Sequence, residues 1–176
     1  MPYTDKKSVV KCIPKYLKKY EEDIDYLADI DSRLNTYIET VLNTPDEHNK
    51  FEILGCFRFL DFIDKYSFNI TKFRKFCSFY ESLNFEGGPS YKLTPIQVFQ
   101  FANIYGFVKD NGCRLCRDAL LYVPRKFSKT TSVAACAIWD LMFGPFDAQA
   151  YVAANSFNQA NICFRIISKT LAPIDP

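Results

Sequence analysis

Residues 119–131 read Ala-Leu-Leu-Tyr-Val-Pro-Arg-Lys-Phe-Ser-Lys-Thr-Thr, and the predicted fold class rests on this segment. Its first five residues form a short apolar run, which is typical of a buried parallel strand. Residues 124–128 predict a loop. A helix should follow over residues 129–143, because Gly144 and Pro145 stop it. The residues that this helix should turn inward are Val133, Ala134, Ile138 and Leu141.

The same order of elements recurs downstream. Residues 150–154 predict a second buried strand, and Ser156 should cap a last helix that runs to about Leu171. A βαβα order predicts a parallel sheet with right-handed crossovers. Because sheets usually have about four to six strands, two strands indicate the start of a sheet that continues elsewhere.

The first half of the chain has a helical pattern instead. Apolar residues recur at three- and four-residue steps over residues 14–29, and Asp31 can cap the next helix. Gly87, Gly88 and Pro89 suit a hinge. We therefore predict an all-helical N-terminal segment over residues 1–88 and an incomplete α/β domain over residues 89–176. That domain should open with a helix that Thr94 and Gln97 cap and that ends near Gly106.

The composition predicts a folded chain, and its net charge does not indicate binding to nucleic acid. The 176 residues carry a net charge of +2, and hydrophobic residues make up 48%. The seven Cys are irregularly spaced, the N-terminus does not resemble a signal peptide, and no apolar run is long enough to span a membrane. We therefore expect a reducing, cytoplasmic location without membrane contact.

Lys129 and Thr130 have the chemistry of a phosphate site. A phosphate loop places a Lys for the outer phosphates and a hydroxyl for Mg²⁺ at the start of a helix. The standard pattern is G-x-x-x-x-G-K-[ST], and here Val123 and Ser128 replace its glycines. A non-Gly residue with a positive φ costs roughly 1–2 kcal/mol. The alternative interpretation is a basic, exposed helix start, and the alternative for Gln97 is that it only closes its capping box.

Several of these stretches together resemble the large terminase subunit of tailed bacteriophages. The similar residues lie at 93–97, 104–106, 119–126, 128–131, 150–155 and 159–160. They correspond to the N-terminal part of the packaging ATPase domain. The resemblance implies an α/β fold, namely a truncated P-loop NTPase with the βαβα start of a parallel sheet, preceded by the helical segment.

The resemblance also implies roles for individual residues. Gln97 matches an adenine-contacting Gln, Arg125 and Lys129 match catalytic residues, and Thr130 matches the hydroxyl that coordinates Mg²⁺. The expected cofactors are ATP and Mg²⁺. The variant Walker A loop that would bind the nucleotide consists of Pro124, Arg125, Lys126, Phe127, Ser128, Lys129, Thr130 and Thr131.

By the same resemblance, the intact motor would work on double-stranded DNA with a portal protein and a small terminase subunit, in the host cytoplasm during phage assembly. Oligomers are expected only of the full-length protein. The acidic hydrolysis motif and the nuclease domain would lie beyond Pro176, so we expect this chain alone to hydrolyse ATP very slowly or not at all. Two alternatives stay open, a truncated helicase-like P-loop ATPase and a non-catalytic helical interaction module with a decayed loop.

Overall fold

The computed structural model describes residues 5–85 and 90–172. The predicted boundary between residues 88 and 89 lies outside these residues. The chain divides into two compact units. The first contains residues 1–75 and 93–118, and the second contains residues 76–92 and 119–176.

The first unit is mainly helical, but the segment predicted as all-helical over residues 1–88 also contains a two-residue strand, Ser67–Phe68. Its elements are α1 (Lys6–Val10), α2 (Ile13–Lys19), α3 (Glu21–Ile30), α4 (Ser32–Asn43), a 3₁₀ turn (Pro45–Glu47), α5 (Lys50–Lys65), β1 (Ser67–Phe68), the first part of α6 (Ile70–Ser82), α7 (Pro95–Phe101), a π-helical turn (Ala102–Gly106) and β2 (Phe107–Val108). The core of the unit is apolar and includes the fully buried Leu27, Leu34, Ile38, Phe59 and Leu60.

Local capping explains several of these helix starts. The carboxylate of Asp31 accepts a hydrogen bond from the backbone N–H of Arg33 at 2.9 Å, as the predicted cap requires. Asn49 and Glu52 form a capping box that begins α5. The continuous helical pattern over residues 14–29 is interrupted in the structure, because Tyr20 leaves the helical conformation between α2 and α3.

An aromatic cluster joins the short sheet to α5. β1 pairs with β2 in the antiparallel sense, with Phe68 opposite Phe107. The ring of Phe107 lies 5.1 Å from the rings of both Phe59 and Phe68, measured between centroids. A Cβ atom at Gly106 would overlap the ring of Phe68, so this position has room only for glycine.

The second unit centres on two long helices. α8 (Lys129–Phe143) packs against α9 (Phe157–Leu171), and residues 76–82 of α6 add their aromatic face. Trp139 of α8 lies 5.5 Å from the ring of Phe76 and 5.2 Å from that of Phe79. The starts and ends predicted for α8 and α9 are confirmed, and Ser156 caps α9 through a hydrogen bond from the N–H of Gln159.

The two predicted strands are corrected by the structure. Residues 119–123 and 150–154 have no strand assignment, and the sheet of the described chain is the antiparallel pair β1–β2. Their side chains are also exposed: Leu120 is 94% exposed, Tyr122 96% and Tyr151 86%. The physical reason is that an apolar run becomes a buried strand only when neighbouring strands and covering helices are present. The described chain is therefore mostly helical, and it is compatible with an α/β class without displaying the parallel sheet.

The inward face predicted for α8 is half right. Ala134 and Ile138 are fully buried, whereas Val133 is 50% exposed and Leu141 40% exposed. The buried face is shifted around the helix relative to the prediction, and its residues are Ser132, Ala134, Ala135, Ile138 and Trp139. Within residues 5–85 and 90–172, no helix is long and apolar enough to cross a membrane.

Candidate phosphate-binding site

The loop before α8 contains two residues in the left-handed region. Lys126 has φ of 71° and Ser128 has φ of 55°, whereas the intervening Phe127 keeps a negative φ. Backbone that alternates in this way can turn successive N–H groups toward one side and form an anion-binding concavity. Ser128 occupies the position where the standard pattern has glycine, and its conformation is the one that glycine adopts most easily.

The start of α8 leaves backbone donors available. The N–H of Ser132 donates to the carbonyl of Ser128 at 2.9 Å, which is the first hydrogen bond of the helix. The N–H groups of Lys129, Thr130 and Thr131 precede that bond and have no intrahelical acceptor. The Ser128 side chain makes no capping hydrogen bond, and the first turn contains no acidic residue. The positive end of the helix dipole is therefore not compensated by a local carboxylate.

Cationic side chains surround these donors. Arg125, Lys126 and Lys129 are exposed, and Thr130 is partly exposed. None of the four side chains forms a hydrogen bond or an ion pair with any residue in the described parts of the chain. Three positive charges within five residues thus face solvent beside the helix start, which is the arrangement that a polyphosphate requires.

Packing holds the helix behind the loop. Ser132, one turn into α8, is buried, and its hydroxyl lies 3.4 Å from the hydroxyl of the fully buried Tyr80. Burial raises the pKa of Tyr80 to about 12, so its phenol stays neutral and able to share this hydrogen bond. The sequence pattern places Tyr80 on the apolar face of its helix but carries no sign of the contact with Ser132, because the two residues are distant in the chain.

Gln97 belongs to the first compact unit, whereas residues 124–131 belong to the second. The Gln97 side chain is only 3% exposed, and its Oε1 accepts from the Thr94 backbone N–H at 3.0 Å and from the Thr94 hydroxyl at 2.9 Å. The predicted capping box is therefore confirmed. The expected contact between Gln97 and an adenine stays a prediction.

Carboxylates are sparse downstream of the loop. Between residues 119 and 172 the acidic residues are Asp140 and Asp147. Asp140 follows Lys129 by eleven positions on α8, which corresponds to about 16 Å along the helix axis. Asp147 lies in a turn with φ of 66°. The part of the chain that the structure describes contains no group of three or more His, Cys, Asp or Glu residues that could hold a metal ion.

Comparison with known protein families identifies the region that contains this loop. The family model described as the terminase large subunit, ATPase domain, matches residues 95–173. The match covers somewhat less than half of the chain, and it supports the predicted family for residues 95–173. Searches of curated proteins and of solved structures found no match.

Proposed function

We propose that the chain binds ATP together with Mg²⁺ through the loop of residues 124–131. The observation that carries the proposal is the backbone of this loop, in which Lys126 and Ser128 are left-handed and Phe127 is not. This alternation stands directly before a helix whose first N–H groups lack acceptors. The family of residues 95–173, an ATPase domain, supports the same interpretation.

The residues present fit a bound triphosphate. Lys129 would neutralise the outer phosphates, and the first-turn N–H groups of α8 would donate to their oxygens. Thr130 would offer its hydroxyl to Mg²⁺, and the exposed Arg125 would add charge at the rim of the loop. A bound Mg²⁺ would partly neutralise the negative charge of the phosphates.

Within the family, this site would serve a viral DNA-packaging motor. We propose that the protein acts there with double-stranded DNA, a portal protein and a small terminase subunit, in the cytoplasm of a bacterial host. Family membership supports a packaging-motor ATPase, and it favours that function over the helicase-like alternative.

A ligand titration tests nucleotide binding. ATP and Mg²⁺ at ~100 times the dissociation constant should stabilise the chain by about 2.7 kcal/mol, which thermal unfolding would register as a rise in midpoint. The Lys129→Met variant should lose this rise. The matched control is Arg165→Met, which removes an exposed cation of the same unit from α9 and should keep the rise.

The same titration decides the remaining alternative. If millimolar ATP and Mg²⁺ leave the unfolding midpoint of the wild-type chain unchanged, nucleotide binding is wrong and a non-catalytic interaction module is favoured. If Arg165→Met loses the rise as completely as Lys129→Met, the binding depends on general charge rather than on the loop.

A further inference from the structure

The N-terminal helices carry a concentrated positive charge. Residues 6–19 contain six Lys and no Asp or Glu, although the whole chain has a net charge of only +2. Between α1 and α2, Lys11 and Cys12 keep right-handed helical backbone angles, with φ of −60° and −86°. The two short helices therefore follow one another as a nearly continuous spiral.

Four of the lysines occupy one face of this spiral. They are spaced by four, four and three residues, which keeps them within one side of a helix. All four are exposed, and none of their side chains forms an ion pair or a hydrogen bond within the described chain. We call these residues the lysine stripe: Lys7, Lys11, Lys15 and Lys18. The other two lysines are engaged, Lys6 with the Asp46 carbonyl at 3.1 Å and Lys19 with Asp61 and Asp64.

The opposite face of the spiral is fixed in the core. Val9 is fully buried and Ile13 is 5% exposed, so the orientation of the stripe is set by packing. No large hydrophobic side chain is exposed among residues 5–19. A helix that lies in a lipid surface needs exposed apolar side chains to insert, so this composition disfavours a membrane as the partner.

We propose that the lysine stripe contacts the phosphate backbone of duplex DNA. From Lys7 to Lys18 the helix rise amounts to about 16 Å, and each four-residue step to about 6 Å. Phosphates on one strand rise by about 3.4 Å each, so the four ammonium groups can reach different phosphates. The acidic residues of α3, beginning at Glu21, limit the contact at that end because they repel the backbone. This inference goes beyond the proposed nucleotide site, since the stripe lies outside residues 95–173.

Salt dependence of binding measures the contact directly. Each phosphate neutralised contributes about −0.9 to the slope of log K against log salt concentration for duplex DNA. We expect the double variant Lys11→Gln with Lys15→Gln to reduce the steepness of this slope by about 1.8 and to weaken binding uniformly across DNA sequences. Gln removes the charge, stays polar and keeps a good helix propensity.

The matched control lies in the same unit. Lys72→Gln with Lys75→Gln removes the same two charges from α6 and should leave the slope at its wild-type value. Equal slopes for the two double variants, or a larger effect of the α6 pair, would overturn the assignment to the stripe. So would a wild-type chain that ignores duplex DNA at low salt, or one that binds only anionic vesicles or acidic peptides.

A second measurement needs no variant. Chemical acetylation of the wild-type chain, with and without duplex DNA, should show protection of the four stripe lysines and none of Lys75. Protection of Lys75 with reactive stripe lysines contradicts the proposal. Because both measurements omit nucleotide, their failure is distinct from failure of the ATP site, which Lys129→Met reports.

Discussion

The backbone N–H of Ser132 donates to the carbonyl of Ser128 at 2.9 Å, and the acceptor residue is itself in the left-handed region with φ of 55°. The acceptor of the first hydrogen bond of α8 is thus a residue with a strained backbone conformation. Strain of this kind persists only when the surrounding packing determines it. Here the buried Ser132 and Tyr80 supply that packing.

Replacing Ser128 with Gly should therefore stabilise the chain. The left-handed conformation costs a non-Gly residue roughly 1–2 kcal/mol, and Gly relieves this cost. The larger conformational entropy of Gly in the unfolded chain offsets about 0.5–1 kcal/mol of that stabilisation. We expect a net gain of about 0.5–1 kcal/mol in the free energy of unfolding, measured by urea denaturation. Phe127→Gly is the control, because Phe127 has a negative φ and a Gly there should destabilise. A loss of stability in Ser128→Gly would contradict the strain.

Hydrolysis by the isolated chain should be very slow or absent. Between the loop and residue 172 the acidic residues are Asp140, in the body of α8, and Asp147, in a turn, and neither stands at the helix start beside Lys129. A carboxylate or an equivalent group must position the attacking water in such sites. A phosphate-release assay with excess ATP checks this expectation. Multiple turnovers that disappear in Lys129→Ala would show it to be wrong.

Gln97 offers a test that separates its two roles. Thr94→Ala and Gln97→Ala each break the same capping box and should each cost about 1 kcal/mol of stability. If Gln97 also contacts adenine, Gln97→Ala should bind ATP more weakly than Thr94→Ala does. Tripolyphosphate, which lacks the base, should bind both variants equally. Equal ATP affinities in the two variants would leave Gln97 with the cap alone.

Two glycines should respond in opposite ways to alanine. Gly106→Ala places a methyl group against the ring of Phe68, which packs on Phe107, and overpacking of this kind typically costs about 1–3 kcal/mol. At Gly55, inside α5, an added Cβ atom would meet nothing within 4 Å, so Gly55→Ala should gain roughly 0.5–1 kcal/mol. Thermal unfolding of the two variants checks both signs, and the same sign for both would contradict the packing argument.

Alkaline pH should destabilise the chain through Tyr80. Burial raises the pKa of its phenol from the ordinary 10.0 to about 12. A raised folded pKa contributes stability that is present below the unfolded pKa and is lost as the pH rises through the folded one. The free energy of unfolding, measured in urea, should therefore fall between about pH 10 and about pH 12. Tyr80→Phe should flatten part of this decline, whereas Tyr122→Phe, at a 96% exposed position, should not. An unchanged decline in Tyr80→Phe would exclude this residue as its source.

Local signals predict the helices of the second unit well. The N-cap at Ser156 and the Gly144-Pro145 stop are interactions among neighbouring residues, so the sequence specifies them without knowledge of the fold. The capping box of Thr94 and Gln97 is of the same kind. The position of the loop before α8 is predicted from the sequence as well, and the matching family model covers the residues of this loop.

Long-range interactions account for the misses. A short apolar run such as residues 119–123 does not reveal whether partner strands exist, so its pattern cannot distinguish a buried strand from an exposed segment without regular structure. The exposure of Val133 and Leu141 depends on which helices pack against α8, and the break at Tyr20 depends on its burial in the first unit. The left-handed conformation of Lys126 has no local sequence signal at all.

The exposed segments at residues 119–123 and 150–154 have a practical consequence for the solubility of the chain. Leu120, Tyr122 and Tyr151 present bare apolar surface on backbone that belongs to no sheet in the described residues. Exposed apolar surface of this kind favours aggregation through pairing between the backbones of different molecules. Intermolecular β-type association, rather than unfolding of either unit, should therefore limit the concentration that a purified sample can reach.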